Sequence, residues 1–241
     1  DAVEVLTTTN QLFAAVVPVT REQFHDFTTP LLQRHPFIQA FNFHRIVPHA
    51  QRAAFEAEMQ RLVPGYAMME MRDGAIVPAA TQASYLVIDY LEPLQGNRPA
   101  FGLNVRLNGL LAGALEQAIV SNQTTATGLL ALAQGPQRGF VILRPVYRHG
   151  VPLQTVAQRR AALVGDTAAV IRASELVQKI LEGADLLGDP QLEISVYADA
   201  GADPRQRIFQ HGQAPADEPQ SAWKSLPPWL QFAYHSHYDR A

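Results

Sequence analysis

Gly139-Phe140-Val141-Ile142-Leu143-Arg144-Pro145-Val146-Tyr147 is the stretch from which the fold can be read. It is a short apolar run with β-branched residues, preceded by the turn-like Gly135-Pro136-Gln137-Arg138 and followed by His149-Gly150. Such a run reads as a strand. Side chains alternate along a strand, so Phe140 and Ile142 share one face and Val141 and Leu143 the other. Both faces are apolar, which places the strand inside a sheet covered on two sides. Proline cannot donate to a ladder, so pairing is expected to loosen at Arg144-Pro145.

Outward from that strand, Thr124 to Ala133 reads as its hairpin partner. Leu107, Leu110, Leu111, Ala114, Leu115, Ala118 and Ile119 recur at helical spacing before it. Further upstream, Tyr85–Leu91 and Ile38–Val47 are strand-like, the latter with Phe41 and Phe43 on one face and closed by Pro48. Between them lies a helix at 49–62, with Phe55, Met59 and Leu62 on one face and Arg52 and Glu56 as an i,i+4 pair. Asp73-Gly74 marks a hairpin between Tyr66–Met71 and Ile76–Pro78. Residues 1–17 carry a loose apolar stripe of Val5, Leu12 and Val16. Thr20 and Gln23 then form a capping-box pattern, and Pro30 is expected to bend or end the helix that follows.

Beyond a loop at 150–155, taken as a subdomain boundary, come a short helix near 155–161 and a strand near 163–171. A helix begun by Ser174 and stopped by Gly183 is next. Leu192, Ile194 and Val196 alternate as a strand with one wet face, and Gln206–His211 is a short strand. The proline-rich stretch 212–228 reads as a surface loop. Leu230, Phe232 and Tyr234 mark a last strand. The class is α+β, with antiparallel strands and a few helices in each half.

The 241 residues are 47% apolar, enough for a sizeable core, and carry a net charge of −3, which offers nucleic acid no general attraction. The absence of cysteine excludes disulfides and thiolate chemistry. No apolar run approaches the roughly 18 residues of a membrane span. No nucleophile elbow, P-loop, zinc-protease or dinucleotide motif is present, so no enzyme activity and no cofactor are expected of this chain. Asp166, inside a strand-like run, could be buried but is a single acid. His235 and His237 share a face with metal-compatible spacing, yet that face reads as solvent-exposed, and no metal site is expected. Asn104, between Leu103 and Val105, is the most informative polar residue. It reads either as a helix cap, a role Asn108 fills better, or as a polar anchor in an apolar pocket. An amide can pair with an adenine edge.

Four motifs then stand in order: Gln51-Arg52-x-x-Phe55-Glu56, Tyr85-x-Val87-x-x-Tyr90-x-x-Pro93, Asn97-x-x-x-x-Gly102-Leu103-Asn104, and Gly139-Phe140-x-x-x-x-Pro145-Val146-Tyr147. Over about residues 38–182 the chain resembles the CHASE domain, the extracytoplasmic sensor module of receptor histidine kinases and nucleotide cyclases, including plant cytokinin receptors. The resemblance implies a stalk helix region at 1–35, a membrane-distal PAS-like ligand-binding subdomain at 36–151 and a membrane-proximal PAS-like subdomain at 152–241. Flanking transmembrane helices would lie outside this chain. In the plant receptors an aspartate hydrogen-bonds the adenine of cytokinin, and Asn104 stands at that position here. The resemblance also puts Thr127, Leu129, Val141 and Leu143 in the pocket lining, with Tyr90 and Phe101 as aromatic walls. It implies a small, flat ligand, a homodimer through the stalk, a bacterial periplasmic setting and a sensor histidine kinase as the full-length receptor. A diguanylate cyclase receptor, or a protein-interaction module with a vestigial pocket, is the alternative.

Overall fold

A computed structural model describes residues 2–16, 18–132, 138–189, 192–198, 203 and 206–212. The turn expected at 135–137, the loop at 212–228, the last strand and the His235/His237 pair lie outside the described residues, save Gly212.

Helices α1 (Ala2–Ala15) and α2 (Arg21–Arg34) open the chain. They are followed by β1 (Ile38–Pro48), a single 3-10 turn and α3 (Arg52–Leu62). The hairpin β2 (Met69–Arg72) and β3 (Ala75–Pro78) turns through Asp73 and Gly74, both at positive φ, as the Asp-Gly pair requires. Then come β4 (Ser84–Glu92), the two-residue β5 (Leu103–Asn104) and α4 (Gly109–Ser121). The hairpin pieces β6 (Thr125–Ala126) and β7 (Leu130–Ala131) lead to β8 (Arg138–Tyr147). After them are α5 (Val156–Ala162), β9 (Leu163–Arg172) and α6 (Ala173–Gly183), and β10 (Ile194–Tyr197) pairs β11 (Arg207–His211) in a separate ribbon.

Among the described residues, nine strands form one mixed, mostly antiparallel sheet in the order β3-β2-β5-β4-β1-β9-β8-β6, with β7 also on β8. β1 and β9 are central. β9 lies between β1 and β8, so the segment after the 150–155 loop contributes a strand to the sheet built by the segment before it. The expected two-sided burial of β8 is present. Phe140, Ile142 and Val146 pack with α1 and α2, and Val141 and Leu143 pack with α4. The β9 register runs through Arg144 and Pro145 unbroken, while on the other side β6 pairs no further than Leu143. The missing proline donor therefore faces the side without a ladder. Glycine is needed at 139, the second residue of this strand, because a Cβ there would stand 2.2 Å from the Ile171 carbonyl oxygen.

α1 lies against β8 and β9 instead of standing clear of the sheet. Its buried stripe is Val5, Leu6, Thr9 and Phe13, with Leu12 and Val16 only at its margin. The Asn10 amide donates to the Arg144 and Pro145 carbonyls and to Thr167 Oγ1 at 3.3, 3.2 and 3.0 Å. Phe13 stacks on Phe43 with centroids 4.4 Å apart. The Thr20–Gln23 capping box forms with both reciprocal bonds. The helix then runs through Pro30 to Arg34, so the proline does not end it. Pro30 and Asp26 are exposed, so water can serve the carbonyl that the missing N–H abandons. Leu62, Leu107 and Leu110 are likewise exposed, because α3 and α4 each bury a narrower stripe than the spacing suggested and Leu107 precedes its helix.

Candidate ligand-binding site

A cavity of about 240 Å³ opens on the α4 face of the sheet. Alternation along the strands selects its lining. Ala40, Asn42 and His44 of β1, Ile88 and Leu91 of β4, Val141 of β8 and Val170 of β9 all point to this side. Leu103 and Val105 close one end, Leu111 of α4 covers it, and Leu130 and Leu132 close the other. Asn97 and Gln39 meet at the rim. Gln39 Nε2 donates to Asn97 Oδ1 at 3.2 Å, and Asn97 donates to the Pro93 carbonyl at 2.8 Å. The wall is thus mostly apolar with a few placed polar groups, the usual make-up of a small-molecule site.

Two of those polar groups stand out. Asn42 and His44 are buried on the pocket floor, and Asn42 Oδ1 and His44 Nε2 have no hydrogen-bond partner among the described residues. His44 Nδ1 lies 2.9 Å from Asp166 Oδ1, and Asp166 is fully buried. The pair arises because β1 and β9 set His44 opposite Asp166 in the antiparallel register. The contact holds the imidazole ring in one orientation on the floor. Asp166 Oδ2 is also without a donor among the described residues.

Of the seven residues expected to line the site, only Val141 borders the cavity. Leu143 is buried in the same apolar cluster behind the wall. Thr127 bridges the gap between β6 and β7. Its N–H donates to the Val141 carbonyl at 2.8 Å, and its Oγ1 accepts from Val141 N at 3.0 Å. Leu129 is half-buried, and its neighbour Leu130 takes the lining position. Phe101 stands edge-on to Tyr66 at 5.7 Å, outside the wall.

Tyr90 lies on the opposite face of the sheet. It packs against Phe13, Phe24 and Phe43 and donates to the Val19 carbonyl at 2.7 Å. The cause is a bulge: Phe43 pairs Tyr90 but His44 pairs Ile88, leaving Asp89 as an extra residue. Asp89, 1% exposed, accepts from Arg21 and Arg45 at 2.5 Å each and ties α2 to β4 and β1.

Asn104 is buried but outside the cavity wall, and it is neither cap nor pocket anchor. Its Oδ1 accepts from Leu86 N at 3.0 Å and from Arg106 N at 3.3 Å, while Asn108 caps α4. Asn104 pairs Val87, whose side chain packs with Tyr85 and Met68 away from the cavity. On the same side Glu70 is buried. Its carboxyl is held below the usual range, first by the hydrogen bond from Arg72 and also by the Ala80 N–H and Gln82.

The residues that sequence reasoning missed are Asn42 and His44. Their signal was present as polar residues on one face of an otherwise apolar strand. Their relation to Asp166, 122 positions away, needs the register.

The fold is thus an α+β domain with a mostly apolar cavity on one face of its sheet. The chain belongs to the CHASE domain family, whose sequence model matches residues 18–209. CHASE domains are extracytoplasmic sensor modules of signalling receptors. A search of curated proteins finds no match to the chain. Among the described residues, no helix is long and apolar enough to cross a membrane, and no three His, Asp or Glu side chains are grouped to hold a metal.

Proposed function

We propose that the chain is the ligand-binding module of a transmembrane receptor, taking a small, flat, mostly apolar molecule into the pocket floored by Asn42 and His44. The observation that carries this reading is a mostly apolar cavity whose lining includes two buried polar residues, Asn42 and His44, each with an atom unpartnered among the described residues. Leaving a buried polar group unsatisfied costs about 1–3 kcal/mol, and a ligand that satisfies it recovers that energy. The strand order β4-β1-β9-β8-β6, with α4 on one face and α1 and α2 on the other, supports a PAS-like reading of the sheet. On that reading the second unit begins after Arg172, with α6 and the β10–β11 ribbon leading toward the membrane. An adenine-like ligand, a bacterial periplasmic setting, a histidine-kinase output and pairing of two chains through the N-terminal helices belong to the same proposal.

Transmission follows from β1, which carries the pocket floor on one face and Phe41 and Phe43 on the other. Phe43 is stacked on Phe13 of α1, so a ligand that shifts β1 also shifts the seat of α1. Only a ligand with different affinity for two seats can bias them, ordinarily by about 1–3 kcal/mol.

The test is a thermal-shift screen of adenine derivatives, other small aromatics and amino acids against the wild type and Val170→Phe. Val170 is a half-buried wall residue, and the larger ring fills the cavity. A ligand at about 100 Kd adds roughly 2.7 kcal/mol of stability. A compound that stabilises the wild type but not the variant supports the reading. A screen in which every stabilising compound acts equally on both refutes it.

A further inference from the structure

Beyond the pocket floored by Asn42 and His44, we infer that the opposite face of the sheet carries a second small-molecule site, at the elbow between α1 and α2, for a compact amphipathic carboxylate. A cavity of about 320 Å³ lies there. Its apolar wall is Phe13 of α1, Val16 and Val19 of the elbow, Phe43 of β1, Val146 of β8 and Val164 of β9. Strand alternation separates it from the first cavity. Phe43 and Val146 pack in the cluster under α1 and α2, whereas Asn42, His44 and Val141 border the cavity on the α4 side. The two cavities have no lining residue in common.

The rim is basic. Arg45, Arg148 and His149 border the cavity and are exposed, and among the described residues no Asp or Glu lines it. Arg148 gives one N–H to the Ala161 carbonyl at 3.0 Å, and a guanidinium has five, so donors remain for a carboxylate. Arg45 is held by Asp89, but Arg21 shares that acid, so two guanidinium groups meet one carboxylate. Glu58, exposed on α3, acts on Arg45 from outside the wall. The carbonyls at this end of α1 are engaged: that of Phe13 lies 3.1 Å from His149 Nε2, and that of Leu12 accepts from Val16 N at 3.0 Å. An apolar floor under a basic rim suits a molecule with a ring at one end and an anion at the other. The volume is at the small end for ligand pockets, which favours a single ring on a short chain. Such an occupant touches α1, the entry to α2 and the sheet together. Phe13 stacks on Phe43, and Tyr90, also on the wall, donates to the Val19 carbonyl at 2.7 Å. The bound acid therefore favours the docked seat of α1.

The test uses 3-phenylpropionate, with 3-phenylpropionamide and 3-phenylpropylamine as its neutral and cationic matches. Calorimetry on the wild type should rank the carboxylate about fivefold tighter than the amide, with the amine weakest. Arg148→Gln, at an exposed position, should reduce that preference by about twofold or more. Val164→Phe fills the cavity and should abolish binding, while Val170→Phe, on the other cavity, should leave it unchanged. Hydrogen exchange along α1 should slow when the carboxylate is bound. If Val164→Phe does not fold, Val16→Phe, at a half-buried wall position, takes its place.

An amide bound as tightly as the carboxylate overturns the inference, as does a preference undiminished in Arg148→Gln or unchanged exchange along α1. Binding that survives in the folded filled variant overturns it too. Binding lost in Val170→Phe but kept in Val164→Phe moves the acid to the α4 side, which ends the second site and leaves the first pocket standing. No binding of the carboxylate also ends it, while the thermal-shift screen of the first pocket is decided separately.

Discussion

Replacing Asn104 by alanine separates a structural strut from a ligand anchor. β5 is two residues long and cannot supply β4 with a full ladder. Leu86 gives its carbonyl to the Val105 N–H at 2.8 Å, and its own N–H is accepted by the Asn104 side chain at 3.0 Å. Leu86 is 3% exposed, so removing the amide leaves a buried donor with no replacement from water. That loss costs about 1–3 kcal/mol. The bond from Arg106 N at 3.3 Å is long and adds less. Against this, the Asn104 Nδ2 group, itself buried without a partner among the described residues, disappears, which returns part of the cost. A net destabilisation of about 2 kcal/mol is expected, equivalent to roughly 4–8 °C in Tm for a chain of this size. Urea denaturation with an unchanged m-value measures it. Affinity for any pocket ligand, measured well below the melting range, should change by less than about threefold, because the amide does not border the cavity. Unchanged stability together with a loss of binding would refute this account and make Asn104 the anchor that its sequence position suggested.

Other expectations follow from single contacts. Gly139→Ala forces a methyl to within 2.2 Å of the Ile171 carbonyl oxygen and should destabilise by about 1–3 kcal/mol or more, seen as a lowered urea midpoint. Tyr90→Phe loses the bond to the Val19 carbonyl and should cost about 0.5–1.5 kcal/mol while leaving pocket affinity unchanged, since the ring lies on the other face. Because the Glu70 carboxyl is held below its usual range, its contribution is present above the unfolded carboxylate pKa and is lost as pH falls through the lower folded value. Glu70→Gln should therefore lower the melting temperature at neutral pH, and the gap to the wild type should close as both are acidified; a gap independent of pH would count against the carboxylate.

The sheet was largely legible because its cues are local. The two apolar faces of 139–147, the Asp-Gly turn and the Thr20–Gln23 cap each act within a few residues. Pro30 did not end its helix because exposure, not sequence, decides whether a lost helix bond is tolerable. The site was less legible, for reasons of parity and distance. Tyr90 shares its spacing with Leu86 and Ile88 and would face the cavity in a regular strand, and the extra residue Asp89 reverses it. His44 and Asp166 become one group only through the β1–β9 register. Asn104 resembles an anchor in sequence, and only the shortness of β5 turns its oxygen toward the backbone.

The insertion of Asp89 sets a reading frame for β4 that both surfaces of the sheet must share. Deleting one residue at that point would restore even alternation. Phe43 already stands opposite Tyr90 and His44 opposite Ile88, so Tyr90 and Ile88 would keep their present faces, while Arg21 and Arg45 would lose their common acid. How firmly α2 is fastened is therefore written in a residue count, and relatives shorter by one residue there should keep the hollow and hold the helix more loosely.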